Sequence, residues 1–205
     1  MTKIWLVIFF AGFFWSGFEP KDQLTWFLEV SPALIGLFVM IISRQRFPLT
    51  RLVYGLILIH SLILMIGGHY TYAEVPLFDW LKQPMEWERN NYDKLGHLAQ
   101  GFIPAIIVRE IFIRKAVLTN LSWLNFIVTC ICLAISAFYE LLEWLVATLS
   151  QDAATAFLGT QGYEWDTQSD MAFALLGAVT ALLTLTHVHD RQINDLTNRQ
   201  PPHFR

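Results

Sequence analysis

Long apolar stretches separated by short polar segments dominate the chain. Residues 23–42, 52–68, 116–149 and 171–188 form the four clearest stretches, and residues 4–18 and 95–108 form two weaker ones. A helix needs about 20 mostly apolar residues to cross roughly 30 Å of hydrocarbon, because its backbone must satisfy its own hydrogen bonds there. The pattern therefore predicts an all-α, polytopic membrane bundle of six transmembrane helices. The stretch 95–108 reaches full length only if Asp93 and Arg109 extend their charged groups to the two interfaces.

Composition supports a membrane protein and excludes two other classes. The 205 residues are 55% hydrophobic and 15% charged, whereas a soluble domain carries about 25% charged residues to cover its surface. A disordered protein would need fewer apolar residues still. The net charge of -3 gives no basic field, so nucleic acid is not an expected partner.

The positive charges predict the orientation of the bundle, since Lys and Arg are retained on the cytoplasmic side. With the N-terminus inside, the outer loops hold only Lys21, Lys82, Arg89 and Lys94. Both termini are therefore predicted to be cytoplasmic, with residues 1–189 as the transmembrane domain. Residues 190–205 are polar, have no apolar period and are expected to form a disordered cytoplasmic tail. The inner side holds Lys3, Arg44, Arg46, Arg51, Arg109, Arg114, Lys115, Arg191, Arg199 and Arg205.

Titratable residues interrupt three of the predicted helices at one depth. An ionised side chain in a spanning helix costs about 2.5 to 3.5 kcal/mol on insertion scales, so each one requires an explanation. The residues occur in pairs three or four apart, which lie on one helix face. The topology brings the pairs to the periplasmic side, where we expect them to form one cluster. Its members are Asp93 and His97, Glu140 and Glu143, and Asp166 and Asp170, with Glu29, His69 and Tyr139 as flanking residues.

Small residues continue two of these faces toward the middle of the membrane. Gly101 and Ala105 follow His97, and Ala174 and Gly177 follow Asp170. Small residues allow helices to approach closely in lipid. The two faces are therefore predicted to lie at helix contacts.

The cluster is compatible with three kinds of site. Carboxylates and one imidazole could together hold one divalent metal ion, and all six cluster residues are candidate ligands. In that interpretation His97, Glu140 and Glu143 are also candidate catalytic residues that move a proton. The same residues could form a proton or cation pathway. They could also share protons in a hydrogen-bond network that holds the helices together.

Three strings in the sequence resemble a known family. DKLGHLAQGF at 93–102, YELLEW at 139–144 and EWDTQSDMAFALLGA at 164–178 resemble the YjdF-type family of bacterial inner-membrane proteins, over the whole chain. The chain is more distantly similar to VanZ-like membrane proteins, although Ala174 stands where their last helix usually has Asn and Glu143 stands where Gln is common. The resemblance implies a multi-pass protein of the bacterial inner membrane with a role in the cell envelope.

Together these features suggest a function at the lipid surface. The leading hypothesis is a metal-supported hydrolase or transferase that acts on a lipid-linked or envelope substrate, because a site at headgroup depth suits an amphiphilic molecule. A proton- or cation-coupled transport or binding protein is the first alternative. A structural envelope protein is the second. The bilayer is the one partner that the sequence predicts directly.

Overall fold

A computed structural model describes residues 2–149 and 161–199, and the regular structure in these ranges is helical. A 3₁₀ turn at Leu121–Trp123 precedes the sixth helix. The helices are α1 (Lys3–Ser16), α2 (Gln23–Ser43), α3 (Arg51–Tyr70), α4 (Pro76–Lys82), α5 (Tyr92–Arg114), α6 (Leu124–Leu149) and α7 (Asp166–Arg199).

The predicted all-α membrane bundle is confirmed. Helices α2, α3, α5, α6 and α7 are each long and apolar enough to cross a bilayer, and α1 is a shorter apolar helix of 14 residues. Counting α1 gives the six predicted helices. Polar residues start the first three of them: the side chains of Thr2, Asp22 and Thr50 each accept a hydrogen bond from a backbone N–H of the first turn.

Helix α5 is longer than its apolar stretch, and the expected reason was wrong. Neither Asp93 nor Arg109 extends its charged group into solvent. They are 9% and 5% exposed and lie inside the bundle, where other charged groups pair with them. The helix therefore reaches 23 residues by burying its charges against neighbouring helices.

At two positions, helices α5 and α7 approach each other so closely that only glycine fits. A Cβ added to Gly101 would lie 1.7 Å from the carbonyl oxygen of Ala174. A Cβ added to Gly177 would lie 2.1 Å from the carbonyl oxygen of Leu98. The prediction that both small-residue faces lie at helix contacts is confirmed. The structure adds that the two faces contact each other, which sets the spacing of the charged residues above them.

The last helix continues beyond the predicted transmembrane domain. Residues 190–199 are helical, which corrects the expectation of a disordered tail for that part, while residues 200–205 lie outside the described residues. Three contacts explain the helix. Asp190 pairs with Arg109 at 2.7 Å, the Gln192 side chain accepts a hydrogen bond from the Leu52 N–H, and Ile193 is buried.

The helices alternate in direction, so that one end of the bundle collects the titratable residues. This end, which we call the acidic end, contains the first turns of α2, α5 and α7 and the last turns of α3 and α6. Helix α2 packs along α3, and in the described part of the chain it does not pack along α6. A gap therefore separates α2 from α6.

Candidate functional site

The structure brings the six predicted cluster residues together at the acidic end. Each is between 2% and 9% exposed, although none has an apolar side chain. Buried charges at this density require partners, because removing a charge from water costs several kcal/mol. The partners divide the cluster into a part with fixed cations and a part without them.

Two positively charged side chains form ion pairs with the aspartates of α7. Lys94 Nζ donates to Asp166 Oδ1 at 2.8 Å and to Asp170 Oδ1 at 2.7 Å. Arg89, in the loop before α5, donates to Asp166 Oδ1 at 2.5 Å and lies 3.6 Å from Asp93 Oδ2. Asp166, predicted as a metal ligand, therefore already has two cationic partners.

His97 stands at the centre of the cluster. Its Nε2 lies 3.4 Å from Asp93 Oδ1, 3.6 Å from Glu140 Oε1 and 3.9 Å from Asp170 Oδ1. Its Nδ1 lies 3.2 Å from Gln100 Oε1, a contact in which the ring N–H donates. The hydrogen bond to Gln100 orients the ring and directs Nε2 at three carboxylates, an arrangement typical of a metal-ligating histidine.

Glu140 and Glu143 form the part of the cluster without fixed cations. Among the described residues no Lys or Arg lies within ion-pair distance of either carboxylate. Glu140 Oε1 is fully buried and accepts no hydrogen bond. One ligand atom from each of His97, Glu140 and Glu143 can lie within 4.8 Å of the others, and the same holds for Asp93, His97 and Asp170. Either group of three could hold a metal ion.

Two of the three predicted flanking residues adjoin the cluster. Tyr139 donates to Glu29 Oε2 at 2.9 Å and joins α6 to α2. His69 does not reach it: Nδ1 of His69 lies 3.0 Å from the Ser16 carbonyl oxygen, against α1. Tyr72, which the sequence did not single out, fits against Gly67 and Gly96 and faces the cluster. Burial, and then the nearby Glu29, raises the pKa of Tyr72 well above its ordinary value, so its hydroxyl stays protonated.

A cavity of about 630 Å³ leads away from the cluster between α2, α3, α5 and α6. Glu29, Asp93, His97 and Glu143 line it at the acidic end. Apolar residues line most of its length, and Ser43 and Lys115 line the opposite end. The apolar lining includes Ala33, Val39, Met40, Leu64, Ile103, Ile107 and Ile135.

A second buried polar network lies at the end of the bundle opposite the cluster. Glu110 is 0% exposed and accepts hydrogen bonds from the Thr50 hydroxyl at 2.7 Å and from Arg114 at 2.7 Å. His189, also 0% exposed, lies 3.1 Å from Glu110 and 3.1 Å from Arg109. The network joins the start of α3 to α5 and α7.

Spacing could have identified some of the residues that the sequence analysis missed. Arg89 stands four residues before Asp93, and Gln100 stands three residues after His97. On a helix both spacings place side chains next to each other, but Arg89 lies in the loop before α5, so helix geometry accounts only for the Gln100 contact. The contact between Glu110 and His189 joins residues 79 apart in the chain, for which local sequence gives no signal.

Comparisons with known proteins agree with this architecture. The family described as Predicted membrane protein (DUF2238) matches residues 1–191. The chain is 46% identical to the inner membrane protein YjdF of Escherichia coli (strain K12) over 179 residues, which are 87% of this chain and 86% of that protein. No solved structure matches the chain. The predicted YjdF-type resemblance and the multi-pass inner-membrane location are confirmed, while the distant similarity to VanZ-like proteins stays a prediction. On this match and this helical architecture, the chain belongs to the DUF2238 family of inner-membrane proteins.

Proposed function

We propose that this protein binds a divalent cation at the acidic end and uses it to hydrolyse, or to transfer a group from, an amphiphilic envelope substrate. The observation that carries the proposal is the Glu140 carboxylate, with one oxygen buried and without a hydrogen bond. Buried polar atoms are almost always satisfied, and an exception in a cluster of ligands points to a bound ion or water. We assign the cation to His97, Glu140 and Glu143.

Charge supports this assignment. Glu140 and Glu143 can bring their oxygens within 4.8 Å of each other, and at an effective dielectric constant of about 20 two charges at that distance repel by roughly 3 kcal/mol. Without a cation, at least one of the two carboxyl groups must carry a proton. A divalent ion neutralises both, and His97 adds a nitrogen ligand that favours Mn²⁺, Zn²⁺ or Fe²⁺ over Mg²⁺ and Ca²⁺.

The position of the ligands suits chemistry on a headgroup. His97 and Glu143 line the cavity, whereas Glu140 lies behind them. A bound cation would polarise an oxygen of the substrate headgroup. In hydrolysis, the oxygen of a water molecule would bond to the reacting atom of the headgroup while the bond from that atom to the leaving oxygen breaks. A proton of the water would pass to a cluster carboxylate such as Asp93, and the leaving oxygen would take up that proton.

The first test is the metal content of the protein after purification in detergent. We expect wild-type protein to retain close to one equivalent of a transition metal, or to take up added Mn²⁺ with a rise in melting temperature. Glu140→Gln should lose both properties, because an amide binds a metal far more weakly than a carboxylate. Glu74→Gln changes an exposed carboxylate outside the cluster and should behave as wild type.

Two results would overturn the metal assignment. One is wild-type protein that neither retains a metal nor responds to Mn²⁺, Zn²⁺ or Mg²⁺. The other is equal metal content in wild type and Glu140→Gln.

The enzymatic part of the proposal has a separate test, which is the release of headgroup phosphate from vesicles of E. coli polar lipids by metal-loaded protein. A rate equal to that of Glu140→Gln would refute it.

A proton or cation pathway is the second candidate, and the cavity lining favours it. Glu29, Asp93 and His97 line the acidic end, and His60 lies deeper along the same cavity. Proteoliposomes with an internal pH-sensitive dye would detect proton flux. His60→Leu should stop the flux if the pathway exists, whereas Leu58→Ala, on the same helix but outside the cavity lining, should leave it unchanged.

A further inference from the structure

The cavity opens sideways toward lipid. Val39 of α2 and Ile135 of α6 both line it and are 50% and 39% exposed, and in the described residues these two helices do not pack along each other. These two residues therefore form the rim of an opening between α2 and α6. Phe38 and Phe138 flank the opening and are 63% and 62% exposed. Because the helices span a membrane, hydrocarbon chains are the medium next to this opening.

The polar groups of the cavity wall are concentrated at one end. Most of them, including Glu29, Asp93, His97 and Glu143, belong to the acidic end. His60 and Ser61 lie deeper, Ser43 and Lys115 line the opposite end, and the other residues of the wall beyond the cluster are apolar. On α2 the lining runs from Glu29 to Ser43, which is about 21 Å at 1.5 Å per residue. That length exceeds one leaflet, roughly 15 Å, and the volume is in the range of about 300 to 1,000 Å³ that holds small ligands.

We infer that this cavity holds a single hydrocarbon chain of a membrane amphiphile, which reaches it between α2 and α6 and leaves its headgroup at the acidic end. The inference rests on the proposed function for the headgroup, since it names the substrate class of the same site. The cavity wall is no more apolar than the surrounding lipid, so the chain gains little from burial itself. Selectivity among amphiphiles must therefore come from the headgroup, at His97, Glu143 and the cation, whereas occupancy of the cavity by a chain does not require the cation.

Gly36 provides a direct test of the cavity. It lines the cavity on α2, and a Cβ added there meets no atom within 4 Å. Gly36→Trp should thus fill the cavity without disturbing the helix contacts. Gly55, on α3, also has no atom within 4 Å of an added Cβ but does not line the cavity. Gly55→Trp is therefore the matched control.

The experiment is photolabelling in vesicles of E. coli polar lipids. The probe is palmitoyl lysophosphatidylglycerol with a diazirine near the end of its chain, and labelled peptides are located by mass spectrometry. We expect labels on Ile103 and Ile107 of α5, which face the cavity. Gly36→Trp should reduce them roughly tenfold or more, because the indole and the chain cannot share the space, while Gly55→Trp should retain them.

The outcomes separate this inference from the proposed function. Equal labelling of Ile103 and Ile107 in the two Trp variants would overturn the inference, as would labels confined to outward-facing residues such as Phe38. Glu140→Gln should lose the metal but keep chain labelling, so a protein that binds no metal can still bind the chain. If Gly36→Trp fails to fold, Gly36→Leu enters the same space and should lower the labelling relative to Gly55→Leu.

Discussion

The close approach of α5 and α7 predicts a large effect from a single methyl group. In Gly101→Ala the new Cβ would lie 1.7 Å from the carbonyl oxygen of Ala174, whereas ordinary contact begins at 3.4 Å. The helices must separate by about 1.7 Å, and the obstructing atom belongs to a backbone that no rotamer change can move. Overpacking costs about 1 to 3 kcal/mol or more. Since backbone is involved, we expect a loss of about 3 kcal/mol in the free energy of unfolding.

The measurement is equilibrium unfolding in detergent micelles titrated with SDS, followed by tryptophan fluorescence. Gly55→Ala is the control, because nothing lies within 4 Å of its new methyl group and alanine favours a helix by about 0.5 to 1 kcal/mol. It should be neutral or stabilising. Gly177→Ala, with a 2.1 Å contact, should fall between the two or match Gly101→Ala. If Gly101→Ala were as stable as Gly55→Ala, the α5–α7 contact described above would be refuted.

Three further predictions use the same unfolding assay. Lys94→Met leaves the two α7 aspartates without their shared partner and should lower the free energy of unfolding by about 3 to 5 kcal/mol. Lys21→Met removes an exposed ion pair and should lower it by less than about 1 kcal/mol, so equal losses in the two variants would contradict the argument from burial. Glu110→Ala removes the carboxylate that pairs with Arg114 and contacts His189, and it should cost about 3 to 5 kcal/mol, with Glu110→Gln less harmful. An unchanged free energy of unfolding in Glu110→Ala would rule out the second network as a source of stability. Thr50→Ala loses both the N-cap of α3 and a hydrogen bond to Glu110, so its free energy of unfolding should fall by more than the roughly 1 kcal/mol that an N-cap contributes. Thr2→Ala removes only the N-cap of α1 and measures that contribution, so equal losses in the two variants would argue against the Glu110 contact.

The sequence predicted those parts of the molecule that local rules determine. Apolar length gave the spanning helices, and the three- and four-residue spacings gave the faces on which His97 and Glu143 lie. Small residues correctly marked the contact of Gly101 with α7. These features depend on one helix at a time, or on two helices at known depths.

The parts that the sequence could not predict depend on distant pairing. From the sequence we predicted Arg109 at a membrane interface and the tail after His189 as disordered, because neither segment has an interaction partner nearby in the chain. The structure instead pairs Arg109 with Asp190 and buries His189 against Glu110, which extends α7 by several turns. The cavity could not be predicted from the sequence either, because a space between α2 and α6 depends on how the helices pack and leaves no periodic pattern in either of them.

The contact of Tyr139 with Glu29 determines how easily the bundle could admit a molecule from the side. Within residues 2–149 and 161–199 it is the one side-chain hydrogen bond between α2 and α6, while α5 and α7 are held together by ion pairs at both ends. A hydrogen bond contributes about 0.5 to 3 kcal/mol, less than the roughly 3 to 5 kcal/mol lost when a buried ion pair such as those between α5 and α7 is broken. The α2–α6 side of the bundle can therefore widen at a lower cost in free energy than the α5–α7 side.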